Sequence, residues 1–264
     1  MKKFLVIGNP VEHSLSPLLH NHWIMKNNLN AIYDKEKLNE HGLENLISKI
    51  KEKKINGVNV TVPFKKKIIP FIDKLSLQAK NTQSVNTIYL ENNKVIGHNT
   101  DIKGFELAIE ETKFKVTNKK VLILGAGGVV PSIVFSLNKL GTSKIMISNR
   151  TKDKADKLKD LFNDLTIINW GEIPNVDMII NATSIGLNLD DKMNLDLTKF
   201  GKGKFFYDII YNPKETDFLN TAKELGNEVE NGKKMFIHQA AEAFRIWHGI
   251  KPKINEETIN LLDR

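Results

Sequence analysis

The sequence predicts an α/β protein built from two domains. Apolar segments with the two-residue period of strands alternate with segments that have the period of amphipathic helices along most of the chain. A polar connection at 114–120 separates a first group of these units from a second group, which opens with an apolar strand and a glycine turn. A chain of 264 residues is long enough for two domains of ordinary size.

The amino-acid composition narrows the class of protein. The chain is 41% apolar, as globular proteins are, and it contains no cysteine. The lack of cysteine excludes disulfides, thiolate metal sites and a cysteine nucleophile, and it fits a reducing compartment. We expect no metal site. The first apolar run stops at Gly8, too early for a secretory signal or a membrane span, so we expect a cytoplasmic protein with no membrane association.

The formal net charge of +8 raises the question of nucleic acid, because a basic chain can bind either nucleic acid or small anions. The lysines are interleaved with acidic residues in segments such as 49–54 and 152–159, and no aromatic-rich basic strand accompanies them. We therefore expect small ligands that carry phosphate or carboxylate groups, and no nucleic-acid partner.

The first strand is predicted at 4–7, and a loop leads from it into a helix. Ser16 is a typical N-cap residue and Pro17 is a typical first residue of a helix. Capping accounts for Ser16 but not for Ser14. Two hydroxyl groups beside a helix N terminus, where backbone N–H groups are free, also make a suitable carboxylate site. Both interpretations are open at this point.

The segment 58–65 holds the most informative polar residues, and it follows a predicted strand at 31–34 and a predicted helix at 42–53. Valines alternate with polar residues, which is the period of a half-buried strand, and a proline ends the pattern. We expect Asn59, Thr61 and Lys65 to leave one face together, where an amide, a hydroxyl and an ammonium can hold a polyhydroxylated ligand and move a proton. The alternative is a surface strand followed by a solvated basic turn at 65–67.

A helix is predicted from 65 to about 80, and a hairpin follows it. The hairpin strands are expected at 84–90 and 94–98, joined by a turn of two asparagines. The hairpin leads to Asp101, which precedes a helix at 102–112. An aspartate in this position can be an N-cap or a first-turn residue, or it can serve a functional partner elsewhere in the chain.

The second group of elements begins with a dinucleotide-binding pattern. An apolar strand at 120–124 runs into Gly125-Ala126-Gly127-Gly128 and then into a helix at 129–140. Gly125 permits the tight turn, Gly127 lets the backbone approach a pyrophosphate, and the free N–H groups of the helix start bind it. Val130 replaces the third small residue of the general pattern, so helix and strand can pack further apart. We expect a Rossmann-type, doubly wound dinucleotide domain.

The residues after the next strand, predicted at 144–148, bear on the choice of cofactor. NAD enzymes usually carry an acidic residue there for the ribose hydroxyls. This chain has Asn149-Arg150-Thr151. A guanidinium and a hydroxyl suit a 2′-phosphate, which a carboxylate would repel, so we expect NADP rather than NAD. The alternative is an ordinary surface arginine followed by a helix-capping threonine.

Further strands are predicted at 165–168, 176–180 and 204–209. The second of them ends in a polar segment, 181–184, at the carboxyl edge of the sheet, where such folds bind cofactors. The tail at 235–247 has apolar residues at helical spacing and is expected to pack in the core. Gln239 is the polar exception within it.

Nine short motifs, in order over nearly the whole chain, resemble those of the shikimate dehydrogenase family. Each is weak alone, but nine in the family's order are hard to obtain by accident. They are Ser14-Leu15-Ser16-Pro17, the segment 59–65, Val85-Asn86-Thr87, Asn99-Thr100-Asp101 with Gly104, 125–128, 149–151, 181–184 with Gly186, Asp208 with Tyr211, Pro213 and Thr216, and Met235-Phe236 with Gln239-Ala240.

The resemblance implies an enzyme that reversibly reduces 3-dehydroshikimate to shikimate with NADPH, in the pathway to aromatic amino acids. It implies Lys65 and Asp101 as the catalytic pair. Together with that pair, the residues implied to bind substrate are Ser14, Ser16, Asn59, Thr61, Asn86, Tyr211 and Gln239. The residues implied to bind NADP are Gly125, Ala126, Gly127, Gly128, Asn149, Arg150, Thr151, Thr183 and Gly232.

The implied architecture is a substrate-binding and catalytic domain at 1–101 plus 235–264, an NADP domain at 102–234, and a cleft between them. We expect a monomer or a homodimer. The chain departs from the family at 83–84, where a Gln-Ser pair replaces Gly-Ala, and at 231–234, before Met235. Two alternatives are an NAD-using quinate/shikimate dehydrogenase and a non-catalytic protein that senses dinucleotides.

Overall fold

The computed structural model describes residues 1–188 and 191–263. Contacts divide the chain into two compact units: residues 1–104 with the segment from 237 onward form the first, and 105–236 form the second. Each unit is an α/β structure with its own six-stranded sheet. The α/β class with a dinucleotide-type second unit, expected from the alternation of strands and helices, is confirmed.

The first unit carries a mixed sheet. Its elements before the chain leaves it are β1 (Lys2–Gly8), α1 (Ser16–Lys26), β2 (Ala31–Lys37), α2 (Leu43–Lys51), β3 (Gly57–Val60), α3 (Phe64–Lys67), β4 (Lys74–Leu75), α4 (Leu77–Thr82), β5 (Thr87–Glu91) and β6 (Lys94–His98). The strand order is β2-β1-β3-β5-β6-β4. β1 runs parallel to β2 and β3, whereas β5 is antiparallel to both of its neighbours.

The hairpin of β5 and β6 forms as predicted, because its two turn residues adopt the backbone conformation that such turns need. Asn92 and Asn93 have φ angles of 50° and 59°. Asparagine tolerates this left-handed region better than most residues, and two such residues in succession match the twist of antiparallel strands.

The second unit carries a fully parallel sheet. Helix α5 (Asp101–Glu110) leads into it, and its further elements are β7 (Lys120–Leu124), α6 (Val130–Lys139), β8 (Lys144–Ser148), α7 (Lys152–Asp156), β9 (Thr166–Ile168), β10 (Met178–Asn181), β11 (Phe205–Asp208), α8 (Asp217–Glu224) and β12 (Glu228–Glu230). The strand order is β12-β11-β10-β7-β8-β9. This is the strand order of doubly wound dinucleotide-binding folds. From β7 the chain adds β8 and β9 on one side and then β10, β11 and β12 on the other, so the strand order switches between β7 and β10. Helix α9 (Lys233–His248) then returns the chain to the first unit, which ends with α10 (Glu256–Asn260).

The prediction of a half-buried strand at the central segment is wrong. All four residues of β3 are buried, and the strand ends at Val60, so Val62 lies outside it and is 57% exposed. One face of β3 packs against the apolar side of α2. On the other face, a Cβ on Gly57 would lie 2.4 Å from Trp247 Nε1 in α9, so this strand is covered on both sides.

The long helix expected from 65 to about 80 is also wrong. The segment folds as α3, a 3₁₀ turn at Ile69–Phe71, the short edge strand β4 and then α4. Pro70 has no N–H to continue a helix. Ser76 caps α4 by accepting a hydrogen bond from the Ala79 N–H, and this starts a separate helix. Strands β4 and β12, which have two and three residues, were not predicted from the sequence.

An aromatic cluster around His20 packs between α1, β2 and α9 in the first unit. His20 is 1% exposed and stacks on Tyr33 with ring centroids 4.2 Å apart. Neither ring nitrogen has a hydrogen-bond partner among the described residues. Burial lowers the pKa of His20 to about 3, with a further contribution from His248. The pKa of His248 is lowered to about 4, chiefly by burial and also by Lys2.

We expect acid to destabilise this protein through these two histidines. Below pH 6.5 the unfolded chain binds protons that the folded chain excludes until about pH 4 at His248 and about pH 3 at His20, so the free energy of unfolding falls as the pH drops across these windows. The slope contributed by each histidine approaches about 1.4 kcal/mol per pH unit. Urea unfolding at several pH values measures it.

His20→Phe keeps the stacked ring and is expected to remove about half of this slope. The matched control is His41→Gln, because His41 is exposed and its replacement should leave the slope unchanged. Equal slopes in wild type and His20→Phe would contradict the assignment.

Candidate active site

The centre of the candidate site is a buried ion pair in the first unit. Lys65 Nζ lies 2.6 Å from Asp101 Oδ2, and the two side chains are 13% and 7% exposed. The neighbouring lysines, Lys66 and Lys67, are exposed. The alternative of a solvated basic turn therefore describes those two lysines but not Lys65.

Local backbone contacts bring the two charges together. The Lys65 carbonyl accepts a hydrogen bond from the Val85 N–H at 2.9 Å, which holds the start of α3 against the chain before β5. Asn99 Oδ1 accepts from the Asp101 N–H at 3.0 Å. Asn99 thus satisfies the first N–H of α5 that would otherwise need a cap, and the carboxylate of Asp101 is left to face Lys65.

Asn86 fixes the carboxylate from its second side. Its Nδ2 donates to Asp101 Oδ1 at 2.8 Å and to Thr100 Oγ1 at 3.0 Å. Its Oδ1 accepts from the Thr100 N–H at 2.8 Å and lies 3.0 Å from Thr87 Oγ1. Both N–H bonds of Asn86 are therefore given to the protein, and the amide orients Asp101. The expected contact between Asn86 and the substrate stays a prediction.

Asn59 joins the same network from β3. Its Nδ2 donates to the Asn86 carbonyl and to Thr87 Oγ1, both at 3.1 Å. Its Oδ1 accepts from the Tyr33 hydroxyl at 2.7 Å. The structure thus gathers Lys65, Asp101, Asn86 and Asn59 into one hydrogen-bonded cluster.

Four residues hydrogen-bonded to this cluster were not predicted from the sequence as site residues: Tyr33, Thr87, Asn99 and Thr100. Tyr33 fits the buried face of a strand, and no local motif marks its hydroxyl as functional. For Thr100 the sequence did contain a usable pattern, because an Asn-Thr-Asp run before a helix places several hydrogen-bonding groups at the helix start.

Capping predicts a role for the Ser16 side chain at the start of α1 and none for Ser14, but the structure shows the reverse. Ser16 is the first residue of α1, and the residue before it, Leu15, provides no side-chain cap. Ser14 Oγ instead accepts from the Ser16 N–H at 3.3 Å. The identification of Ser16 as the N-cap is therefore wrong, because the chain enters the helix one residue earlier.

Three further predicted substrate residues belong to separate parts of the chain. Thr61 follows β3, and its N–H donates to the Ile7 carbonyl at 2.9 Å. Gln239 is half-buried in α9 within the first unit. Tyr211 belongs to the second unit, where its ring stacks on Phe236 with centroids 4.3 Å apart. Their roles toward a ligand stay predictions.

The glycine turn of the second unit lies at the switch point between β7 and β10. Gly125 has a φ of 113°, and a Cβ there would lie 2.7 Å from the Ala182 carbonyl oxygen. A Cβ on Gly127 would meet only that oxygen, at 3.9 Å. Packing therefore requires glycine at 125 but leaves room beside 127, next to the start of α6, which has no side-chain cap. This turn, with Ala126 and Gly128, fits the pyrophosphate of a dinucleotide.

Asn149, Arg150 and Thr151 follow the carboxyl end of β8. Asn149 Nδ2 donates to the Thr151 carbonyl at 2.7 Å, which folds this turn, and Arg150 is exposed. Thr151 precedes α7, but its side chain makes no capping hydrogen bond. Thr151 therefore occupies the N-cap position, as the alternative expected, but capping does not account for its hydroxyl. An exposed guanidinium and a hydroxyl at this edge fit a phosphate group.

Thr183 and Gly232 have structural partners within the second unit. The Thr183 hydroxyl donates to Asn181 Oδ1 at 2.7 Å and accepts from the Ile185 N–H at 3.0 Å. A Cβ on Gly232 would lie 2.0 Å from the Ile209 carbonyl oxygen, so backbone packing requires glycine there. Their predicted contacts with NADP stay predictions.

A buried carboxyl group links the loops at the ends of β10 and β11. Asp208 accepts hydrogen bonds from Asn181 Nδ2 at 3.1 Å and from the Thr216 hydroxyl at 2.7 Å. The Ile210 N–H donates to it at 3.0 Å. Burial raises the pKa of Asp208 to about 6 despite these donors. The loop that bears Tyr211 is thus anchored at both of its ends, Asp208 and Thr216.

Two other classes of feature are absent from residues 1–188 and 191–263. In this range no three histidine, aspartate or glutamate side chains are placed to hold a metal ion. No helix in the same range is long and apolar enough to span a bilayer.

Family models match three successive parts of the chain. They are described as the shikimate dehydrogenase substrate binding domain, matching 6–88, shikimate / quinate 5-dehydrogenase, matching 106–222, and the shikimate 5'-dehydrogenase C-terminal domain, matching 234–256.

Curated relatives agree with these models. The chain is 58% identical over 262 residues to a shikimate dehydrogenase (NADP(+)) of Pelagibacter ubique, covering 99% of each chain. It is 42% identical over 248 residues to the protein of the same name in Aquifex aeolicus, covering 92% of this chain and 90% of the relative.

Solved structures of similar proteins include complexes with ligands. A shikimate dehydrogenase in complex with NADP+ has a TM-score of 0.93 and 36% identity, covering 100% of this chain and 95% of that one. The Thermus thermophilus enzyme in complex with NADP(H) and shikimate has a TM-score of 0.91 and 30% identity, covering 100% and 99%. With relatives this similar over its whole length, and with three family models in succession, the chain belongs to the shikimate dehydrogenase family.

Proposed function

We propose that this protein catalyses the reversible reduction of 3-dehydroshikimate to shikimate with NADPH. The observation that carries the proposal is the buried pair of Lys65 and Asp101, held by Asn86 and Asn59 in a member of this family. A ketone and a secondary alcohol interconvert in this reaction, so the site needs a group that moves a proton to and from an oxygen atom.

Lys65 is the proton donor in the direction of reduction. As an ammonium it donates to the oxygen that becomes the hydroxyl, and in the reverse direction the neutral amine accepts the proton. Asp101 orients the ammonium at 2.6 Å and presents a carboxylate that can accept from a substrate hydroxyl. Ser14, Ser16, Asn59, Thr61, Asn86, Tyr211 and Gln239 form the rest of the proposed substrate-binding set.

The second unit holds the proposed cofactor. Bound NADPH supplies a hydride to the carbonyl carbon. The turn at 125–128 offers backbone N–H groups and free space beside Gly127 for the pyrophosphate. Arg150, with Asn149 and Thr151, binds the 2′-phosphate. Thr183 and Gly232 complete the proposed set.

The assay that tests the proposal follows the absorbance of reduced nicotinamide. Shikimate with NADP is expected to give strong reduction, whereas shikimate with NAD, or quinate with NADP, is expected to give much less. Strong activity with NAD or quinate would indicate a quinate/shikimate dehydrogenase instead. No turnover with any pair would favour a protein that binds dinucleotides without catalysis.

We also propose that the protein acts in the cytoplasm as a monomer or a homodimer. The absence of cysteine supports a reducing compartment. Light scattering of the purified protein measures the mass, and a mass above that of two chains would contradict this state.

Replacing Lys65 is expected to remove proton transfer. Lys65→Met keeps most of the side-chain volume, and we expect kcat to fall by roughly 10²- to 10⁴-fold with a much smaller change in KM for shikimate. Lys66→Met is the control, because Lys66 is an exposed neighbour in the same short helix. A kcat near that of wild type in Lys65→Met would refute the proton-transfer role.

Replacing Arg150 is expected to weaken NADP selectively. Arg150→Ser removes a charge-assisted contact with a phosphate, and we expect KM for NADP to rise by roughly ten- to a hundredfold while KM for NAD changes little. Lys144→Ser, at the opposite end of β8, removes the same charge from an exposed position and is expected to leave both values unchanged. A parallel rise for both cofactors would show that Arg150 does not read the 2′-phosphate.

A further inference from the structure

Tyr33 lies at one end of the hydrogen-bonded cluster of Lys65, Asp101, Asn86 and Asn59, and its own position is fixed by several contacts. It is 2% exposed, and its backbone is tied to α1, because its N–H donates to Asn21 Oδ1 at 2.9 Å and Asn21 Nδ2 donates to its carbonyl at 2.7 Å. Its ring stacks on His20, with an angle of 4° between the ring planes. A ring fixed in this way places its hydroxyl at a defined point.

That hydroxyl contacts a residue that is predicted to bind substrate. It donates to Asn59 Oδ1 at 2.7 Å, and Asn59 lies near the end of β3. Because the two residues are 26 positions apart, this hydrogen bond ties the side chain of β3 to the fixed ring of β2. Tyr33 therefore fixes the position of the Asn59 side chain.

The contact also decides what Asn59 can offer a ligand. Both N–H bonds of its amide are given to Asn86 and Thr87, and one lone pair of its oxygen accepts from Tyr33. The remaining lone pair of Oδ1 can accept from a hydroxyl group. Asn59 is thus presented as an acceptor for a substrate hydroxyl, and Tyr33 keeps the amide in this orientation.

We propose that Tyr33 is a positioning residue, which holds Asn59 ready to bind a hydroxyl group of the substrate. This inference rests on the proposed function. It concerns binding of the substrate and neither proton transfer nor NADP, so it predicts an effect on one kinetic constant.

The test is Tyr33→Phe, which keeps the ring and its stack on His20 and removes only the hydroxyl. We expect KM for shikimate to rise roughly five- to tenfold, because the contact that orients Asn59 is lost. We expect kcat to change by less than about twofold and KM for NADP to stay the same. Dissociation constants for shikimate from calorimetry should follow KM.

Tyr207→Phe is the matched control. Tyr207 is fully buried in β11 of the second unit, and its hydroxyl has no hydrogen-bond partner among the described residues. Its loss is expected to leave all three kinetic constants unchanged. An unchanged KM for shikimate in Tyr33→Phe would overturn the proposal, and so would a general loss in which kcat and both KM values worsen together.

A second measurement follows the contact without turnover. The side-chain amide signals of Asn59 in an ¹H–¹⁵N spectrum, identified by their loss in Asn59→Ser, are expected to shift in Tyr33→Phe and not in Tyr207→Phe. If the wild-type enzyme neither oxidises nor binds shikimate, the proposed function fails and this role fails with it. If the wild type is active and the Asn59 signals do not move, the role of Tyr33 alone is wrong.

Discussion

The geometry of the first unit depends on the burial of one carboxylate. Asp101 as a whole residue is 5% exposed. A buried charge is costly unless it is paired and hydrogen-bonded. Lys65 supplies the opposite charge, and Asn86 supplies a donor to the second oxygen. Removing either partner of such a pair usually destabilises a protein strongly, so α3, the chain before β5 and the start of α5 are held in one arrangement.

Neutral groups extend this constraint across the unit. From Asp101 the hydrogen bonds run through Asn86 and Asn59 to Tyr33 in β2. Each bond alone is worth little in water, but within a buried network the bonds polarise and orient one another. The consequence is a set of polar groups whose directions are fixed before any ligand arrives.

The sequence predicted the class of the fold, and four residues of the buried polar cluster, better than the contacts among them. Those four are Lys65, Asp101, Asn86 and Asn59. The hairpin, the glycine turn and the strand before Arg150 follow from local chemistry, and local chemistry can be read from a short window. The helix expected from 65 to about 80 failed because one proline and one serine divide it. The hydroxyl of Tyr33 could not be found in this way, because its partner Asn59 is 26 positions away.

In the second unit, the glycines that packing requires are different from the glycine beside the proposed pyrophosphate site. At 125 and 232 a side chain would collide with a carbonyl oxygen of the protein itself, whereas at 127 the added Cβ would meet one oxygen only, at an ordinary contact distance of 3.9 Å. In a scan of all substitutions, scored once for cellular abundance and once for growth without aromatic amino acids, changes at 125 and 232 should reduce both scores. Changes at 127 should leave abundance intact and, through the proposed contact of Gly127 with the pyrophosphate, should reduce growth. Position 127 would then provide a folded protein with impaired cofactor binding for use as a reference.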